Sequence, residues 1–161
     1  MPCVDPNLVS LLKDEYLSLQ NTYEDFDRRA LTIKGWSVTV SLAALGLGVQ
    51  YKAPFLWFLA CAATLLFWAI EAKWKTFQYA YSGRIKLIEA YFKCPSNPPE
   101  IVPFQIYASW FESYKKQSIL RCATMPMVFL PHFVIIVLGI AMLIVFYSTG
   151  GAPWLQTYQT H

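Results

Sequence analysis

The amino-acid sequence predicts an all-α membrane protein with three transmembrane helices and long cytoplasmic amphipathic helices that form a helical bundle. Three observations carry this expectation. Hydrophobic residues make up 56% of the 161 residues and charged residues only 14%, against about a quarter charged in an ordinary soluble domain. The apolar excess sits in three long blocks rather than being spread along the chain. Between the blocks the apolar residues keep a helical rhythm, interrupted by one proline-dense stretch.

Residues 6–34 read as one amphipathic helix. Asp5 is the expected N-cap, and Pro6 takes the first helical position, where its missing N–H costs nothing. Val9, Leu12, Tyr16, Leu19, Tyr23, Phe26, Ala30 and Ile33 recur at alternating spacings of three and four, a coiled-coil heptad rhythm. Lys13, Asp14, Glu15, Glu24, Asp25, Asp27, Arg28 and Arg29 are assigned to the other faces. Such a stripe needs a partner, either another segment of this chain or a second copy. The spacing alone does not choose between them.

The first transmembrane helix covers residues 35–51, with Trp36 and Tyr51 as interface residues at its ends. Ser37, Ser41, Ala44 and Gly48 form a small-residue stripe suited to close helix packing. Lys52-Ala53-Pro54 is the turn. The second transmembrane helix covers residues 55–70, and so short a turn makes the two an antiparallel hairpin. Nothing stops the second helix at Glu71, so a stalk over residues 71–93 continues it, with Trp74, Phe77, Tyr81, Ile85, Ile88 and Phe92 on its apolar face. Four prolines in residues 94–103 preclude a helix interior. A helix resumes over residues 104–122, with Phe104, Tyr107, Phe111 and Tyr114 expected on its inner face. The third transmembrane helix covers residues 125–147. Pro131 lies in its early turns and frees a carbonyl. Residues 148–161 form a tail with no charged side chain.

Basic flanks set the orientation. Arg28, Arg29 and Lys34 precede the first span, Lys73 and Lys75 follow the second, and Lys115, Lys116 and Arg121 precede the third. The hairpin turn offers only Lys52 and the tail offers nothing. The N-terminus and residues 71–124 are therefore expected in the cytoplasm, with the turn and the tail outside. The opening Met1-Pro2-Cys3-Val4-Asp5 does not read as a signal peptide.

The stretch Tyr23-x-x-Phe26-x-x-Arg29-Ala30, then Lys34, the hairpin and the stalk from Trp74 to Phe92, resembles a known family. Residues 16–92 are similar to SLATT-type domains, two-transmembrane-helix effectors of bacterial nucleotide-signalling defence systems. The resemblance implies an antiviral defence role, self-assembly in the bacterial inner membrane and permeabilisation when triggered. It implies no catalytic residues.

Residue chemistry is sparse. Glu71 is the one carboxylate at a membrane edge, and Lys75 lies four residues on, in the favourable order for a helical ion pair. His132 beside Pro131 is the other ionisable group at a span. Glu71 and His132 are the candidate pore or gate residues, against the plainer reading of a paired interfacial charge and a hydrogen-bonded bundle histidine. Leu12, Tyr16, Leu19, Tyr23 and Phe26 are the candidate oligomer or bundle stripe. Arg84, Lys86, Lys115, Lys116 and Arg121 are candidate contacts to anionic lipid or a ligand, against a solvated face that orientation alone requires. Cys3, Cys61, Cys94 and Cys122 form no CxxC pair and read as thiols. No phosphate-binding glycine loop, nucleophile elbow or zinc motif occurs, so no cofactor, metal or catalytic set is assigned, and no basic stripe points to nucleic acid. The expected function is a homo-oligomeric membrane protein that forms or gates a pore. The competing expectation is a non-conducting scaffold or accessory subunit that recruits a partner protein through its cytoplasmic helices.

Overall fold

The computed structural model describes residues 6–93 and 99–150. The expected cap Asp5, the first part of the proline-dense stretch with Cys94, and the tail from residue 151 lie outside the described residues. Five helices occur in order: α1 Pro6–Gln50, α2 Pro54–Lys93, α3 Ile106–Lys115, α4 Ile119–Ala123 and α5 Pro126–Ser148. No strand occurs among the described residues. The helices α1, α2 and α5 are each long and apolar enough to cross a membrane.

The turn between α1 and α2 is closed by a Schellman pattern. The Ala53 N–H donates to the Gly48 carbonyl at 3.0 Å and the Lys52 N–H to the Val49 carbonyl at 3.3 Å. Lys52 occupies the left-handed position with φ 53°, where glycine is the usual residue. Pro54 then opens α2, where its missing N–H is harmless.

The chain divides into two compact units. The first comprises Met1–Leu31 and Ala72–Cys122. Its core joins Leu12 and Leu19 of α1 to Ile85, Ile88 and Tyr91 of α2 and to Ile101, with Tyr16 and Tyr23 packed against it. Phe26 lies 5.0 Å from Trp74 and 5.7 Å from Tyr81, ring centre to ring centre. Within this chain, then, the heptad stripe of α1 is covered by the apolar face of α2. Two residues assigned to wet faces are instead inside. Glu15 and Arg84 are 3% and 2% exposed. They form a two-point ion pair, Nε to Oε1 at 2.7 Å and Nη2 to Oε2 at 3.0 Å. Their remaining capacity is spent on backbone: Arg84 donates to the Val102 carbonyl and Glu15 accepts from the Phe104 N–H. A buried charge persists when it is paired and hydrogen-bonded in this way.

That arrangement also reshapes the segment expected as one helix over 104–122. The Phe104 N–H goes to Glu15, and Phe104 has φ 62°, so the helix begins only at Ile106. It breaks after Lys115, where Lys116 and Gln117 close i−3 bonds to Ser113 and Tyr114. The Ser118 carbonyl then accepts the first bond of α4, from Cys122. The face turned to α2 is Trp110, Ser113 and Tyr114, not Phe104, Tyr107 and Phe111. Trp110 and Tyr114 meet the Phe77 ring at 6.0 and 5.5 Å. Phe104 and Tyr107 are 66% and 74% exposed.

The second unit comprises Thr32–Glu71 and Ala123–His161. Leu45, Trp57, Ala60 and Ile135 form its core. Gly48 lies under the Trp57 indole, whose Nε1 donates to the Leu45 carbonyl at 3.0 Å. Gly139 of α5 lies against the Cys61 sulfur. In the small-residue stripe Ser37, Ser41 and Gly48 are buried and Ala44 is half-buried. Ser41 and Thr64 share a hydrogen bond at 2.8 Å. Leu42, Leu66, Leu138 and Ile144 are among the large apolar side chains turned outward.

Candidate functional site

Inside the second unit, three apolar helices converge on a small set of polar groups. From α1 come Lys34 and, three residues on, Ser37, one helical turn apart on one face. From α2 comes Glu71, where the apolar run of that helix stops. From α5 come His132 and the backbone carbonyl of Met127. Glu71, His132 and Ser37 are fully buried. The Lys34 side chain keeps 22% exposure.

The geometry is a connected chain. Ser37 Oγ lies 3.2 Å from His132 Nδ1. His132 Nε2 lies 2.9 Å from Glu71 Oε2. Glu71 Oε1 faces the Lys34 ammonium at 3.1 Å. That oxygen takes no hydrogen bond of good geometry and is answered by the Lys34 charge alone. Lys34 Nζ also donates to the Met127 carbonyl at 2.7 Å. That carbonyl is the one Pro131 frees, because proline four residues on has no N–H to return to it. Lys34 therefore compensates both an unpaired carboxylate oxygen and an unpaired helix carbonyl, as polar groups inside an apolar bundle require.

The proton arrangement follows from the partners. An ionised carboxylate only accepts, so the proton between Glu71 and His132 sits on Nε2. In the neutral imidazole Nδ1 then accepts from the Ser37 hydroxyl.

Serine, histidine and glutamate in series have the connectivity of a hydrolase triad, but not its working parts. Ser37 Oγ is wholly enclosed, and the neighbouring α1 amides are committed to helix bonds rather than to an oxyanion hole. The arrangement links α1, α2 and α5 through their side chains.

Of the residues singled out from the sequence, Glu71 and His132 come together here. The expected Glu71–Lys75 pair does not form: Lys75 Nζ binds Asp27 at 2.6 Å and Gln78 at 2.8 Å instead. Lys34, read only as a flanking charge, is the missed member. Its partners are Glu71 on α2 and the Met127 carbonyl on α5, which its own position on α1 does not reveal. Arg84 is withdrawn as a lipid or ligand contact, because Glu15 and Val102 occupy it in the interior. Lys86, Lys115, Lys116 and Arg121 are exposed. Among the described residues, no three His, Cys, Asp or Glu side chains are grouped to hold a metal ion.

No family model, curated protein or solved structure matches this chain.

Proposed function

We propose that the protein is a three-span membrane protein of the pore-forming or pore-gating class, and that the form described is its closed state. In this reading the N-terminus and residues 71–124 are cytoplasmic, the tail is outside, and several copies assemble in a bacterial inner membrane as a defence-type effector. The observation that supports it is the Lys34–Glu71–His132 cluster. Three ionisable groups inside apolar helices are expensive. An apolar trio of similar volume would hold the helices as well or better. A charged latch is warranted where the helices must also come apart and then offer polar groups to water. Released from one another, Lys34, Glu71 and His132 would line an aqueous path shared by several copies.

The test is membrane potential in cells, with the mass of the detergent-solubilised complex. Lys34→Met removes the charge that answers Glu71 and the donor that answers Met127. Its expression is expected to collapse the potential at levels where the parent chain does not. An intact potential with the variant correctly inserted would remove the pore reading.

One observation favours a second reading. The polar side chains Ser37, Ser41, Thr64, Glu71 and His132 are all buried, while Tyr107 and Phe104 of the other unit are open. A non-conducting anchor that presents those aromatics to a partner protein would look the same. Co-purification of a different protein at a fixed ratio, without a ring of identical chains, would favour the anchor.

A further inference from the structure

We propose that the segment from Lys115 to Arg121 is a binding site for the head groups of anionic phospholipids. The inference goes beyond gating and rests on the spanning reading only for the presence of a bilayer. Its first support is position. Just before the segment, the Tyr114 hydroxyl accepts from Lys73 Nζ, and Lys73 is the second residue after Glu71, where the apolar run of α2 stops. Just after it, the Ala123 carbonyl accepts from Trp68 Nε1 at 3.0 Å, and Trp68 is three residues before Glu71. The start of the segment is thus fastened to α2 within about one helical turn of the level where apolar sequence gives way to polar. Tyrosine and tryptophan at that level are the side chains a membrane interface favours.

The second support is chemistry. Residues 106–123 carry Lys115, Lys116 and Arg121 against one acidic residue, Glu112. The three basic residues are exposed. Glu112 lies 3.4 Å from Lys115, but both side chains are more than half exposed, so water and salt screen that pair. Between the basic residues, Ile119 and Leu120 are 44% and 74% exposed. Cations flanking exposed aliphatic side chains suit the boundary between phosphates and acyl chains. Lys86 makes the contrast. It is exposed too, but stands fifteen residues beyond Glu71 along α2, about 22 Å of helix, and is not part of the site.

The test uses the full chain purified in a neutral detergent, with native mass spectrometry counting bound phosphatidylglycerol against phosphatidylcholine. The parent is expected to retain phosphatidylglycerol preferentially, and free inorganic phosphate is expected not to displace it. Replacing Lys115, Lys116 and Arg121 with glutamine should weaken the preference by roughly fivefold for each cation removed. Lys86→Gln should leave it unchanged. Equal retention of the two lipids by the parent overturns the proposal whatever the variants do. Displacement by inorganic phosphate overturns it in favour of a soluble anion. An unchanged preference in the triple variant, or in Lys116→Gln alone should the triple variant not fold, also overturns it. A parent chain that is monodisperse without detergent would instead remove the spanning reading, a separate outcome.

Discussion

Glu15 and Arg84 are the most tightly specified pair in the first unit. Each answers the other at two points, and each also holds one backbone group of the 101–104 turn. Breaking such a pair leaves an uncompensated buried charge, at a cost of about 3–5 kcal/mol. Glu15→Ala should therefore lower the thermal midpoint of the detergent-solubilised chain strongly, because Arg84 and the Phe104 N–H are both stranded. Replacing both residues with apolar ones should recover part of the loss but not all, since the Phe104 N–H stays unpaired. The burial of both was legible in spacing. Glu15 stands three residues after Leu12 and four before Leu19, on the stripe itself. Arg84 continues the buried line Thr76, Ala80, Arg84 and Ile88 of α2. Charge type outweighed register in assigning them to water.

Asp27 shows the weaker, exposed kind of ion pair. Desolvation pushes its carboxyl pKa up, but hydrogen bonds from Lys75 and Gln78 and the Lys75 charge outweigh that and hold it below the ordinary value. A carboxyl lowered on folding adds stability that is complete above about pH 4. That contribution fades as pH falls through the folded value. The Asp27 side chain is 53% exposed, so the contribution is under about 1 kcal/mol after screening. Asp27→Asn should cost that little at pH 7 and should flatten the acid limb of the stability curve below pH 4, readable by thermal unfolding across pH.

At the scale of elements, the helix contacts of the second unit are set by small residues. A methyl group added at Gly139 would lie 2.5 Å from the Cys61 sulfur, with its other neighbours at ordinary distances. Gly139→Ala should destabilise by about 1–3 kcal/mol as overpacking, and Cys61→Ala in the same chain should restore most of it. A full additive loss in the double variant would contradict this account of how α2 and α5 meet. Lys52 offers the opposite change. Its left-handed backbone costs an ordinary residue on the order of 1 kcal/mol, so Lys52→Gly should raise stability slightly. The long helices and the tight turn were legible because periodicity, Lys52-Ala53-Pro54 and the absence of breakers agree. The break after Lys115 was not, because no glycine or proline marks it.

At the scale of the molecule, three apolar helices are joined by a charge cluster that no single segment announces. Glu71 and His132 were visible as isolated ionisable residues. Lys34 and the Met127 carbonyl become partners only once α1 and α5 lie side by side, which spacing within one helix does not encode. The latch claim is tested most directly by ion flux across proteoliposomes holding the purified chain, parent against Lys34→Met, at matched incorporation. The account predicts a parent that is sealed and a variant that leaks at least about tenfold faster, the change that a bias of 1.4 kcal/mol brings. Equally tight vesicles for both proteins would contradict it.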